Sequence, residues 1–250
     1  MESVNYTISN ELYGEGGCSS VYLTSNNENK TYDYITKVYN SNKIGQKEIN
    51  IMEYINKFSI RNISQLVTHG CTKDDELYLI TKRINGLETF QYINMCHNVS
   101  ENLAKNWFKC LLDSVYDLHN IGIIHGDIKT ENILINDMNF INSITLIDFS
   151  NSKKLNKGQS SIYTNKLIGT AYYMAPETLN ECEYSYQTDI WAMGVTLYTW
   201  ISGGYPFKST EKAKLGKYKS MESEKWSHVS TECKDLIKLM LTVDKNKRIT

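Results

Sequence analysis

The run Ile-Ile-His-Gly-Asp-Ile-Lys-Thr-Glu-Asn-Ile-Leu-Ile (123–135) sets Asp127, Lys129 and Asn132 within six residues of one another. Sixteen positions beyond Asn132, Asp148 opens the triplet Asp-Phe-Ser. Two carboxylates and an amide at strand ends supply the hard oxygen ligands that Mg²⁺ takes. A carboxylate left off the metal accepts a hydroxyl proton, while a neighbouring lysine balances phosphate charge. A single Asp or Asn in such a loop usually does no more than cap a turn, but chance assembly of all four is improbable. A weaker signal is Gly14-Glu15-Gly16-Gly17-Cys18-Ser19-Ser20-Val21. Glycines let backbone amides approach phosphate oxygens because no Cβ intervenes, yet glycine-rich hairpin turns are common.

These groups need elements to hold them. Up to about Asn85 the pattern predicts strands: VNYTISNELY, SVYLTS and TYDYITKVY alternate apolar and polar residues between turns such as SNNENK. GQKEINIMEYINKF breaks the alternation with helical spacing, which places Ile49, Met52, Ile55 and Phe58 on one face. LYLITKRI reads as a further strand that ends in INGL. The glycine run therefore joins strand to strand, which argues against a dinucleotide-binding fold, where a helix must follow. From there the pattern turns helical. SENLAKNWFKCLLDSVYDLHNIG opens on Ser100 as N-cap and repeats Leu103, Trp107, Leu111, Val115 and Leu118. Two short strands, ENILIN and SITLIDF, precede loops and helices such as QTDIWAMGVTLYTWIS. A β-rich part ahead of a larger helical part is an α+β arrangement with a cleft between the two.

The 250 residues suffice to bury roughly 70–75% of the unfolded surface in one large domain or two coupled lobes. With 27 basic against 28 acidic residues, nothing points to nucleic acid or an anionic membrane as partner. No apolar run reaches membrane-span length, and the polar start MESVNYTISNE is not a signal peptide. The six cysteines are scattered with no C-x-x-C pair, as expected of a reduced, intracellular, cytoplasmic chain without a zinc site. The histidines His69, His97, His119 and His228 show no ligand spacing. Only three basic residues are arginine (Arg61, Arg83, Arg248), so a surviving arginine suggests a need for a planar, bidentate cation.

Taken together, these residues resemble the eukaryotic protein kinase family, serine/threonine class, in order over nearly the whole chain. Gly14, Gly16 and Val21, with Glu15 and Gly17 between them, look like the glycine-rich loop. Lys37 looks like the ATP-anchoring lysine and Glu48 like its partner. His125-Gly126-Asp127 with Lys129 and Asn132 resembles the catalytic loop, and Asp148-Phe149-Ser150 the Mg²⁺-binding motif. Ala175-Pro176-Glu177 resembles the close of the activation segment. Asp189-Ile190-Trp191-Ala192-Met193-Gly194 resembles the buried helix that supports the catalytic loop.

The resemblance implies a two-lobed kinase fold, with an N-lobe over about 1–84 and a C-lobe over about 85–250. ATP and Mg²⁺ would bind in the cleft and a protein substrate would dock across it. Asp127 would be the catalytic base and Lys129 would stabilise the transferring phosphoryl group, with Lys37, Glu48 and Thr170 in the catalytic set. Asn132 and Asp148 would hold the metal. Ile35, Thr81, Lys82, Ile84 and Leu134 would enclose the adenine, and Glu88 would reach the ribose. Arg248 would pair with Glu177. Lys129, two residues after Asp127, and Gly169-Thr170 ahead of Ala175 point to serine and threonine rather than tyrosine substrates.

The sequence also departs from the family pattern. Ile35 replaces a smaller roof residue, Ser19 the third loop glycine, and Ser150 the glycine of Asp-Phe-Gly. Lys37 and Glu48 are only 11 positions apart, and the chain ends at Thr250 where kinases usually continue into a last helix. Gly126 replaces the arginine that commonly receives an activation-loop phosphate, and Lys166 stands at the common phosphoacceptor position. Activity is therefore expected not to require that phosphate, with the segment held by packing and neutral contacts. Ser160, Ser161 and Thr164 remain as phosphosites, with Lys153 and Lys154 as weaker partners. The alternatives are a pseudokinase scaffold that binds nucleotide weakly or not at all, and a kinase-like phosphotransferase for small molecules.

Overall fold

The structure, a computed structural model, describes residues 6–28, 30–136 and 143–250. Val4 and Asn5, where the first expected strand begins, and Asn29 of the expected turn lie outside the described residues. The alternating stretches form strands β1 (Tyr6–Gly16), β2 (Ser19–Asn26) and β3 (Tyr34–Tyr39), followed by helix α1 (Asn42–Ile55), β4 (Leu66–Cys71) and β5 (Leu77–Lys82). The five strands make one antiparallel sheet in the order β1-β2-β3-β5-β4. Alternation sends Thr36 to one face, where its hydroxyl meets that of Thr24 at 2.5 Å, and sends Ile35 and Lys37 to the other.

Helix α1 begins only three residues after β3, and a glycine makes the tight entry workable. A Cβ on Gly45 would stand 2.7 Å from the ring of Tyr39, so the helix backbone closes directly onto that buried ring. Ile49, Met52 and Ile55 are buried beneath α1 as the spacing requires. Phe58 departs from expectation. It follows the last helical turn and is 42% exposed, because the helical periodicity stops at Ile55 before its position is reached.

The remainder contains α2 (Thr89–Cys96), α3 (Glu101–Asn120), β6 (Ile123–Ile124), β7 (Ile133–Ile135), β8 (Ile144–Leu146), β9 (Lys153–Lys154) and β10 (Ile162–Tyr163). It continues through α4 (Pro176–Glu181), β11 (Glu183–Tyr184), α5 (Tyr186–Ser202), α6 (Thr210–Lys214) and α7 (Thr231–Met240). Ser100 caps α3 by accepting the Leu103 N–H, an interaction of about 1 kcal/mol, and Leu103, Trp107, Leu111, Val115 and Leu118 are all buried. Helix α5 is buried from Thr188 to Ile201 apart from Ile190, as befits a central helix that is apolar nearly all round. Trp107 on α3 and Trp200 on α5 meet edge to face at 5.3 Å, which locks the two helices.

The short strands position the polar loops. β7 pairs with β8, β6 with β9, and β10 with β11. Asn132 precedes β7 by one residue and Asp148 follows β8 by two, and the Ile147 N–H donates to the Asn132 carbonyl at 2.9 Å. Leu146 also takes the Asn62 carbonyl, which ties this hairpin to the segment that leads into β4. Among the described residues, no helix is long and apolar enough to cross a membrane.

Candidate active site

Directly opposed residues of an antiparallel pair share one face of the sheet. Val21 lies opposite Lys37, Ile35 opposite both Leu23 and Thr81, and Gly14 opposite Val21. Val21, Ile35, Lys37 and Thr81 are thereby gathered on a single face. Thr81 is buried and Ile35 half-buried. Lys82 ends β5 with its side chain exposed, and Ile84 follows half-buried. Glu88 and Leu134 meet in an isolated bridge that joins the start of α2 to β7.

Lys37 is the hub of this face. Its Nζ donates to Glu48 Oε2 at 2.8 Å and Oε1 at 3.1 Å, and to Asp148 Oδ1 at 2.7 Å. The short separation of Lys37 and Glu48 therefore does not spoil the pair, since Gly45 lets α1 close down on β3. Burial drives the Lys37 pKa down, but Glu48 and Asp148 outweigh it and the ammonium is held above its usual range. Burial likewise pushes the Asp148 carboxyl up, and Lys37 with Ser150 overcomes that and lowers it to about 2. Glu48 Oε1 also accepts the Phe149 N–H at 3.2 Å, so the glutamate on α1 fixes the backbone next to Asp148.

Asp148 itself adopts φ of +66°, a strained conformation for a non-glycine residue. Ser150 is not among the residues with positive φ. Serine in place of glycine therefore costs the backbone nothing in this conformation.

Around Asp127 the chain is over-determined. Oδ1 accepts the Thr170 N–H at 2.9 Å, and Oδ2 faces Asn151 Nδ2 at 3.2 Å and Lys129 Nζ at 3.4 Å. Lys129 Nζ donates to the Thr170 hydroxyl at 2.9 Å, so Asp127, Lys129 and Thr170 form one triangle. Asn132 Nδ2 donates to the Asp127 carbonyl at 2.9 Å and faces Asp127 Oδ2 at 3.4 Å, and among the described residues its amide oxygen has no hydrogen-bond partner. The loop is aimed from below by Asp189, buried in α5, which accepts from the backbone of His125 and of Gly126 at 2.9 Å each and faces His119 Nε2 at 2.9 Å. Burial raises the Asp189 carboxyl, but these donors more than offset it and hold it below the usual range. His125 is fully buried, and desolvation lowers its pKa. The neutral ring accepts from the Asp127 N–H at Nδ1 and donates from Nε2 to the Ile147 carbonyl.

Arg248 meets Glu177 as its survival in a lysine-rich chain suggested. NH1 and NH2 reach the two carboxylate oxygens at 2.7 and 3.0 Å. Its remaining donors go to the carbonyls of Gln187, Thr242 and Val243, so the fully buried guanidinium is satisfied all round.

The glycine hairpin joins β1 to β2 at Gly17-Cys18. None of Gly14, Gly16 or Gly17 has positive φ, and a Cβ on Gly17 would meet nothing within 4 Å. Two contributors were not singled out from sequence. Asn151 carried no signal beyond its nearness to Asp148, and His119 carried none at all, because its partner Asp189 is 70 residues away. No grouping of three or more His, Cys, Asp or Glu able to hold a metal occurs among the described residues.

The model of the protein kinase domain family matches residues 6–250. The serine/threonine-protein kinase PSK2 of Saccharomyces cerevisiae is 32% identical over an alignment that covers 96% of this chain and 22% of that protein. Myosin light chain kinase A of Dictyostelium discoideum is also 32% identical, with 98% of this chain and 84% of that protein aligned. The chain thus spans about a fifth of the first relative's length and most of the second's. Because the match runs through the sheet and the helical part alike, and not merely through the catalytic loop, this chain belongs to the protein kinase family.

Proposed function

We propose that the chain transfers the γ-phosphoryl group of ATP to serine and threonine hydroxyls of protein substrates, with Asp127 as base. The observation that carries this reading is the triangle of Asp127, Lys129 and Thr170. It places a carboxylate and an ammonium side by side at a fixed spacing, where a hydroxyl and a phosphate must meet.

The residues also fit Mg²⁺. Asn132 offers an uncommitted amide oxygen and Asp148 an ionised carboxylate, both hard donors. So small a protein contribution suits a cation that takes most of its ligands from phosphate and water. When bound, Mg²⁺ neutralises and orients phosphate oxygens. Lys37, clamped by Glu48, presents its ammonium to the phosphates. The glycines of the β1–β2 hairpin support nucleotide binding for a different reason. Their conformations and surroundings would accept larger residues, so the fold does not require them and a ligand that needs close backbone approach does. Val21, Ile35, Thr81 and Leu134 supply apolar and small surfaces for the base.

In the transfer, the substrate hydroxyl oxygen forms a bond to the γ-phosphorus as the bond to the bridging oxygen breaks and ADP departs. The hydroxyl proton passes to Asp127, and Lys129 stabilises the charge on the moving phosphoryl group. No observation favours the scaffold alternative. The test is to incubate purified protein with γ-labelled ATP, Mg²⁺ and a mixed protein substrate, followed by phosphoamino-acid analysis. Label on serine and threonine, absent with Asp127→Asn, is expected. ATP binding without any transfer would overturn the reading.

A further inference from the structure

The place of the missing arginine before Asp127 is already filled. Gly126 has φ of +78°, and a Cβ there would stand 2.9 Å from the Asn151 carbonyl oxygen and 3.4 Å from Lys153 Nζ. Lys153, on β9, is 5% exposed. Its ammonium donates to that same Asn151 carbonyl at 2.8 Å and sits 3.7 Å from the ring centre of Tyr184 on β11. Tyr184 is 2% exposed, and its hydroxyl bonds the backbone of Ile168 twice, accepting the N–H and donating to the C=O, both at 2.7 Å. Two residues further on, the Thr170 N–H holds Asp127. Lys166, the other expected cation of this segment, is exposed.

We propose that Lys153 and Tyr184 form a built-in clamp that holds residues 162–170 in place without any phosphate, making both of them positioning residues for the peptide substrate. The inference rests on the phosphotransferase reading above. It also amends the expectation that neutral contacts hold the segment, since a buried cation stands at the centre of the clamp. β10 pairs with β11 through Ile162 and Tyr184, so the ring that carries the ammonium also anchors the outgoing strand of the segment. Burial lowers the Lys153 pKa to about 8. Lys47 of α1 acts in the same direction, and Asp189 of α5 and Asp127 oppose it. A cation whose charge is this costly to bury is spent on a specific partner, here a carbonyl and an aromatic face.

The test uses the whole chain, treated with phosphatase and confirmed free of phosphate by mass. Trypsin cleavage after the exposed Lys166 reads the order of the segment independently of catalysis. The phosphate-free wild type is expected to resist. Tyr184→Phe keeps the ring and loses both bonds to Ile168, and Lys153→Met keeps the stem and loses the cation. Each should be cut about tenfold faster, with the peptide KM raised about five- to tenfold and the ATP KM unchanged. A thermal midpoint within about 3 °C of wild type shows that a variant is folded; if one fails this check, the other carries the test. Wild type that is cut as fast as the variants and is protected only after phosphorylation would overturn the clamp. So would wild-type cleavage and KM in the folded variants. A protected segment in a chain that transfers no phosphate would instead refute the phosphotransferase reading and leave the clamp standing.

Discussion

Glycine serves two different ends on the two sides of the site. At Gly126 and Gly169 the fold itself demands it. Both have positive φ, and a Cβ at Gly169 would lie 3.0 Å from the Gly126 carbonyl and 3.3 Å from Asp127 Oδ1. At Gly14, Gly16 and Gly17 the backbone is ordinary and the space open, with Leu12 and Tyr13 nearby about half exposed. The catalytic loop is the opposite environment, with His125, Ile128 and Thr130 wholly buried. One side is pre-organised by its own packing, and under the proposed function the other is completed by the nucleotide. Charge stabilisation in a reaction depends on groups that need not reorganise, whereas a nucleotide must enter and leave past something that yields.

The sharpest way to break the contrast is to remove charge from the rigid side without changing its shape. Asp127→Asn and Asp148→Asn should each lower turnover by about 10²-fold or more. Calorimetric titration should separate them, since Asp148→Asn also weakens Mg·ATP binding and Asp127→Asn leaves it nearly intact. Equal losses of nucleotide affinity in the two variants would mean that the carboxylates do not divide the labour as proposed. Next in size, Gly169→Ala should destabilise the fold by about 1–3 kcal/mol through strain at φ of +115° and contact with Asp127. Urea unfolding measures this, and a neutral result would show that the turn relaxes freely.

Ile35→Ala probes the boundary between the two sides. The side chain is only half-buried, so the cost should fall below the range of full core truncations, at about 1 kcal/mol. Affinity for ATP and for bulky adenine-site ligands should change with it; a folded variant with unaltered affinities would place Ile35 away from the base. Smallest of all, Gly17→Ala should move stability by no more than about 0.5 kcal/mol while raising the ATP KM. A large stability loss at Gly17 would erase the distinction between the two uses of glycine.

The legible parts of the fold were those with a strong local signal. Leu103 to Leu118 on α3 repeat on one helical face under a serine cap, and the β-branched and aromatic residues of β2 and β3 stand between polar turns. Strand β4 was not foreseen, because Leu66–Cys71 lies at the sheet edge with only Leu66 buried and a bulge after it. Its residues become a strand because β5 offers them a ladder. Helix α2 is short and was likewise missed, and Phe58 was assigned to a helical face that ends before it. Within the site, Asp127, Lys129, Asn132 and Asp148 stood out because loop chemistry clusters along the chain. His119, Asn151 and the pairing of Lys153 with Tyr184 did not, because each depends on a partner brought in by packing.

The sequence by itself determined which groups were available: two carboxylates and an amide at strand ends, a lysine on an alternating strand, a helix able to oppose it, and one arginine retained among many lysines. Spacing suffices for such statements, since periodicity and residue type are local. Only the tertiary structure decided how the groups are charged and aimed. Lys37 joins Asp148 across 111 residues, and Asp189 reaches the backbone of the Asp127 loop from a helix more than 60 residues later. Desolvation and opposing charge act through space, so neither the Asp148 carboxyl held near the acid limit nor the buried ammonium beside Gly126 can be read from neighbours in the chain.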